Sequence, residues 1–210
     1  MARRKTPKSL QTVHITKRCI NRQYLLNPKE NWNEIVSWLN CLHLFFNILL
    51  HHVLVLGNHL HIICTPMEDN IGNAMGYTFS NLARYLNYKN NRINQIFGTR
   101  YFPTVIKDDE HLITTIRYLY QNPLRAGIIN NPFSYKYSSL GFYFGCNSDG
   151  LIVTPDNVTN SLIRKDQYGF DTFEKLIQDQ LLEENLSKIR KALRKSEFKF
   201  NQDYYENSKK

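Results

Sequence analysis

The sequence predicts an α+β fold, a ferredoxin-like antiparallel sheet with helices packed on one face, followed by a C-terminal helical extension. Three observations carry this. Short aliphatic runs alternate with segments of helical period in the order β-α-β-β-α-β-α. Two of those runs are separated only by Gly57-Asn58, a connection short enough to close a hairpin. Beyond Gly150 a linker-like stretch with Pro155 leads into apolar residues at three- and four-residue steps. The division expected is a core domain over 1–148 and an extension over 149–210.

The elements follow in order. Gln11 to Lys17 alternates apolar and polar residues as a half-buried strand does. Asn27-Pro28-Lys29-Glu30 reads as a helix start, with Asn27 as N-cap and Pro28 in the first turn. Trp32, Ile35, Val36, Leu39 and Leu42 then form one apolar face. Ile48 to Leu56 and His59 to Thr65 read as paired antiparallel strands, and Asn73 to Tyr88 as a second helix. Val105 to Lys107 reads as a short strand. A third helix, capped by Asp108 or Asp109, runs to the Asn122-Pro123 step, because proline disfavours helical geometry in the residue before it. Phe173, Leu176, Ile177, Leu181, Leu186, Ile189 and Leu193 mark one long amphipathic helix in the extension.

Composition excludes several classes. With 42% apolar and 13% aromatic residues in 210, the chain has material for a packed core and is not a disordered or collagen-like sequence. Leu42 to Leu56, the most apolar stretch, is interrupted by His43, Asn47, His51 and His52 and is shorter than the roughly 20 residues a membrane span needs. The opening residues are basic and polar with no apolar stretch behind them, so no signal peptide or membrane partner is expected. Cys19, Cys41, Cys64 and Cys146 lie far apart, which fits reduced thiols in a cytoplasmic protein rather than a disulfide framework or zinc ribbon.

Charge is unevenly placed. Residues 1–105 hold 12 Lys and Arg against 4 Asp and Glu, a balance of +8, whereas residues 106–210 balance at +1. Arg3, Arg4, Lys5, Lys17, Arg18 and Arg22 fall in the opening segment, with Arg100 further on. A phosphate backbone is the common partner of such a stripe, although a solvated basic tail has the same composition.

Two constellations carry chemistry. In His59-Leu60-His61, residues two apart on a strand share a face, so both imidazoles can meet one cation. In Tyr118 to Pro123, helical angles put Leu112, Ile113, Ile116, Leu119 and Tyr120 on one apolar face and Tyr118 with Asn122 on the other. Tyr120 is then a core residue and Tyr118 a presented phenol. Singly, each residue also fits a solvated strand, a half-buried aromatic or a helix terminator. Together, two imidazoles, an amide oxygen and a phenol beside a basic surface suit covalent transesterification at DNA, with Mg²⁺ or Mn²⁺ polarising the phosphodiester.

These residues resemble a known family. Leu56 to His61 is similar to the histidine-hydrophobe-histidine signature of the single-tyrosine HUH transposases of the insertion-sequence-200-like group. Tyr118-Leu119-Tyr120-Gln121-Asn122-Pro123-Leu124-Arg125-Ala126-Gly127 resembles the nucleophile block of their REP-associated tyrosine transposase branch. Val13 to Thr16, Asn21-Arg22, Tyr85 to Asn87, Arg100-Tyr101 and Tyr137 to Ser139 fall in the family's order, so the likeness covers residues 10 to 145. Gly57 stands where the family commonly has proline, Cys19-Ile20 replaces a small or polar pair, and Tyr120 takes a place often filled by histidine.

The resemblance implies a metal-dependent nuclease and strand transferase acting on single-stranded, hairpin-containing DNA, as monomer or homodimer. It implies that His59, His61 and Asn122 bind the metal, and that Tyr118 attacks the scissile phosphate to leave a 5′-phosphotyrosine. The rival readings are a hairpin-binding protein of the same fold without cleavage, and an RNA-binding sheet. Retention of all four site residues argues against the first; the lack of aromatics in Ile48 to Leu56 argues against the second.

Overall fold

The chain builds one four-stranded antiparallel sheet in the order β2-β3-β1-β4, from β1 (Val13–Arg18), β2 (Ile48–Val55), β3 (His59–Pro66) and β4 (Phe102–Val105). The computed structural model describes residues 6–98, 100–146, 149–163 and 171–198. Arg3, Arg4 and Lys5 lie outside the described residues. The antiparallel α+β architecture expected from the element order is the one observed.

Helices α1 (Pro28–Phe46) and α2 (Ile71–Lys89) cover one sheet face, burying Val13 and Ile15 of β1 and Leu60, Ile62 and Cys64 of β3 against Ile35, Leu39, Phe79 and Leu82. The opposite face meets α3 (Asp109–Tyr120), the one-turn helices α4 (Asn122–Arg125) and α5 (Leu140–Tyr143), α6 (Asn157–Ile163), α7 (Asp171–Gln178) and α8 (Glu183–Ala192). Leu54 and Ile63 pack there against Leu112, Ile116, Leu119, Phe173 and Ile177. The expectation of helices on one face thus describes α1 and α2; the third helix and the extension lie across the other.

Local differences from the sequence reading have physical causes. Asn27 is left-handed (φ 37°) and its side chain makes no cap bond, so α1 starts on Pro28 alone, whereas Asp108 does cap α3, accepting from the His111 amide at 2.9 Å. The fourth strand begins at Phe102 instead of Val105 and includes Pro103, which an edge strand tolerates because its ladder pairs with β1 on one side only, the outer side holding just the Val105 bonds to Ser196 and Phe198. Gly57 matters for space: a Cβ there would come within 2.3 Å of the Tyr24 ring.

The single long C-terminal helix expected over Phe173 to Leu193 is two helices. Its backbone is interrupted at 179–182, where α3 captures it: Arg117 Nη2 donates to the Asp179 carbonyl at 2.8 Å, Gln121 Nε2 donates to the Ile177 carbonyl at 3.0 Å, and the Leu181 amide donates to Gln121 Oε1 at 3.2 Å. These tertiary bonds replace the helical ones that periodicity alone leads one to expect.

A buried polar chain ties β2 to the extension. His52 Nε2 lies 3.0 Å from Asp156 Oδ2, His52 Nδ1 lies 2.8 Å from the Tyr120 hydroxyl, and that hydroxyl lies 2.9 Å from Ser139 Oγ. Burial lowers the His52 pKa, so the neutral imidazole donates Nε2–H to the carboxylate and accepts from Tyr120. Burial would raise the Asp156 carboxyl, but the bonds from His52 and Thr159 outweigh it and hold the group well below its ordinary range. Asp156→Ala removes the carboxylate that accepts from both His52 and Thr159 and leaves the buried ring N–H only the Thr159 hydroxyl; the expected loss is about 1–3 kcal/mol in urea unfolding, and unchanged stability would contradict this account.

Candidate active site

β1 and β3 pair antiparallel with His14 opposite Ile63, Thr16 opposite His61 and Arg18 opposite His59. Cross-strand partners share a face, so His14, Thr16, Arg18, His59 and His61 all point away from α1 and α2. The His59 and His61 rings lie 4.9 Å apart between centroids, as expected of an alternating pair.

Above this face, α3 and α4 deliver Tyr118 and Asn122. Backbone bonds from the Gln121 amide to the Arg117 carbonyl and from the Arg125 amide to the Gln121 carbonyl carry the helical path through the junction, which keeps the two side chains on one side. Asn122 Nδ2 reaches His61 Nε2 at 3.2 Å, and the Tyr118 ring centroid is 6.0 Å from that of His61. Arg125 sets its guanidinium 4.7 Å over the Tyr118 ring.

Tyr120 stands apart from this group. It is 1% exposed, locked into the His52 and Ser139 bonds, and burial pushes its phenol far above the ordinary range. The facing assigned to the two tyrosines therefore matches the structure. The expected presentation of Tyr118 does not, since that phenol is only 7% exposed and packs with Leu181, Leu186, Ile189 and Leu193. Periodicity in α3 separates the face that carries Tyr118 from the one that carries Tyr120, but carries no sign that α8 arrives to cover Tyr118.

The imidazole tautomers are assigned from the hydrogen-bond network. Asn58 donates Nδ2 to the Arg22 carbonyl at 3.3 Å, which turns its Oδ1 toward His59 Nδ1. His59 then carries its proton on Nδ1 and its lone pair on Nε2. For His61, Nδ1 sits 2.9 Å from His14 Nε2 while Nε2 faces the Asn122 amide. Donation from His61 Nδ1 to His14 leaves Nε2 as the lone-pair nitrogen at the Asn122 side. The His14 and His61 rings stack at 5.1 Å and 18°.

Burial lowers His14 to about 3, burial and then Arg18 lower His59 to about 4, and burial lowers His61 well below its ordinary value. All three are neutral at physiological pH, the state in which imidazole ligates a metal. Among the described residues no group of three His, Cys, Asp or Glu gathers as a metal site. The donor set at hand is instead two imidazoles and an amide whose oxygen can replace its nitrogen beside His61 by a flip. That set fits a divalent ion such as Mg²⁺ or Mn²⁺ with positions left for phosphate oxygens.

A cleft of about 520 Å³ opens beside Tyr118 and His61, lined also by Arg18, Arg22, Arg190 and Arg194 and by no acidic residue. Burial first, then the nearby Arg22 and Arg194, pull Arg18 below its ordinary pKa, while Tyr118 acts in the other direction. Such a cluster favours a bound anion. Arg18 and Arg22, expected as DNA contacts, are thus at the site. Lys17 and Arg100 are not: both line a separate cleft beside α2.

Sequence reasoning missed His14, Arg190 and Arg194. The signal for His14 was an imidazole at an alternating position between Val13 and Ile15, on a strand whose partner carries the histidine pair. For Arg190 on α8 and Arg194 just past its end, nothing local points to the cleft.

A solved structure of a REP-associated tyrosine transposase bound to a REP hairpin matches this chain with a TM-score of 0.56 and 17% identity, over 75% of this chain and 95% of that one. The likeness establishes a shared fold. No family model and no curated protein matches the chain.

Proposed function

We propose that this protein is a single-tyrosine HUH transposase, related to the REP-associated branch, that cleaves and rejoins single-stranded DNA carrying a hairpin. One observation carries the reading: Tyr118 and His61 come from different elements to line an acid-free cleft ringed by arginines, with Asn122 hydrogen-bonded to His61. The structural likeness to a hairpin-bound transposase supports it.

Arg18, Arg22, Arg190 and Arg194 hold the scissile phosphodiester and offset its charge. Tyr118 Oη attacks phosphorus; the Oη–P bond forms as the P–O3′ bond breaks, the phenolic proton passes to solvent, and the leaving 3′ oxygen takes up a proton. The product is a 5′-phosphotyrosine and a free 3′-hydroxyl, and reversal onto another 3′ end joins strands. His59, His61 and Asn122 would hold Mg²⁺ or Mn²⁺, which when bound polarises the phosphate and favours the ionised phenol. The test is a denaturing gel with end-labelled single-stranded hairpins from the flanks of the gene. A protein–DNA adduct that needs Mn²⁺ or Mg²⁺ is expected; salt-sensitive binding with no adduct for any flank would favour a hairpin-binding protein instead.

His14 positions His61 by accepting from its Nδ1. His14→Ala is expected to weaken Mn²⁺ binding about 10–100-fold in titration calorimetry, with His14→Gln recovering part through its amide oxygen. Equal affinity in wild type and His14→Ala would remove His14 from this role.

A further inference from the structure

The second cleft, of about 480 Å³, lies on the helical side of the sheet between α2 and the chain around 93–101. Its volume falls within the range of roughly 300–1,000 Å³ typical of small-ligand sites. Lys17, Arg84 and Arg100 line it together with Phe79, Phe97 and Tyr101, and no acidic residue does. Phe79 and Phe97 meet edge to face at 5.4 Å, with the Lys17 ammonium 5.7 Å and 5.1 Å from their ring centres. The floor is open because α2 offers small residues there: a Cβ added at Gly76 would meet nothing within 4 Å.

The lining has the parts that recognise a nucleotide: cations for phosphate, aromatic walls for a base and amides for its edge. Asn87 donates Nδ2 to the Asn94 carbonyl at 2.8 Å, while its Oδ1 is buried with no hydrogen-bond partner among the described residues. Burial draws the Lys17 ammonium below its ordinary pKa. Lys17 and Arg18 are consecutive on β1 and point to opposite faces, so this cleft and the tyrosine cleft adjoin the same end of one strand.

We infer that the α2 cleft takes one unstacked nucleotide of single-stranded DNA, next to the strand that enters the tyrosine cleft. The inference rests on the transposase reading for its substrate and adds a second contact to it. Cationic grooves with aromatic walls bind single strands in this way.

The test uses the full chain, a fluorescein-labelled single-stranded DNA 12-mer of mixed sequence, and the same oligonucleotide carrying 2-aminopurine. Gly76→Leu places a side chain at the cleft on a position where a Cβ meets nothing within 4 Å and raises helix propensity, so its melting temperature should not fall. Gly76→Leu and Arg84→Gln should each weaken binding about tenfold or more and abolish the 2-aminopurine change. Wild-type affinity in both cleft variants would overturn the inference. If wild type forms no adduct while the cleft effects persist, the transposase reading fails and the nucleotide site stands.

Discussion

Tyr118→Phe is expected to abolish the covalent adduct, a loss of at least about 10³-fold, while folding and DNA affinity stay close to wild type. The substitution removes one oxygen, the proposed nucleophile, and keeps the ring that packs on Leu186 and Ile189 beneath the Arg125 guanidinium. Stability should therefore change by less than about 0.5 kcal/mol. Tyr120→Phe should do the reverse. Its hydroxyl joins His52 Nδ1 to Ser139 Oγ in the buried chain, so removing it costs about 1–3 kcal/mol and leaves adduct formation in place. Denaturing gels and thermal melts of the two variants separate chemistry from stability. A dead Tyr120→Phe beside an active Tyr118→Phe would contradict the assignment of the nucleophile.

Acid should unfold the protein well above the carboxylate range. His14, His59 and His61 have folded pKa values lowered chiefly by burial, the first two to about 3 and about 4. The fold keeps these imidazoles neutral, whereas the unfolded chain takes up protons below its ordinary value near 6.5. Their neutral burial therefore carries no penalty above that pH, and stability falls as pH drops from 6.5 toward the folded values. Each neutral buried imidazole subtracts up to about 1.4 kcal/mol per pH unit over that window, so His14 and His59 together cost roughly 5 kcal/mol by pH 4.5, and His61 adds a loss in the same direction. Asp156, whose carboxyl is held low, adds a further loss only below pH 4. Chemical denaturation between pH 4.5 and 8 should show this slope; a flat profile would contradict the buried neutral state of the site.

Much of this was legible because the signals are local. The His59-Leu60-His61 alternation, the Gly57-Asn58 hairpin and the opposed faces of α3 follow from periods of two and 3.6 residues, which depend on nothing distant. What stayed hidden depends on tertiary approach. The cover over Tyr118 comes from residues 181 to 193, and the break between α7 and α8 is held by Arg117 and Gln121 about 60 positions earlier. Lys17 and Arg18 read as one basic stripe, but the strand's pleat sends them to separate clefts. His14 joined the site through sheet order, which puts β1 beside β3 rather than beside the strand that follows it in sequence.

The central claim is that the Tyr118 oxygen takes up the 5′ phosphate. The most direct measurement is mass spectrometry of the adduct after nuclease and protease digestion, with fragmentation to locate the phosphate. The account predicts a peptide spanning Tyr118 whose fragments carry the nucleotide mass on Tyr118. A phosphate on Tyr120, or on a residue outside the Tyr118 cleft, would contradict it.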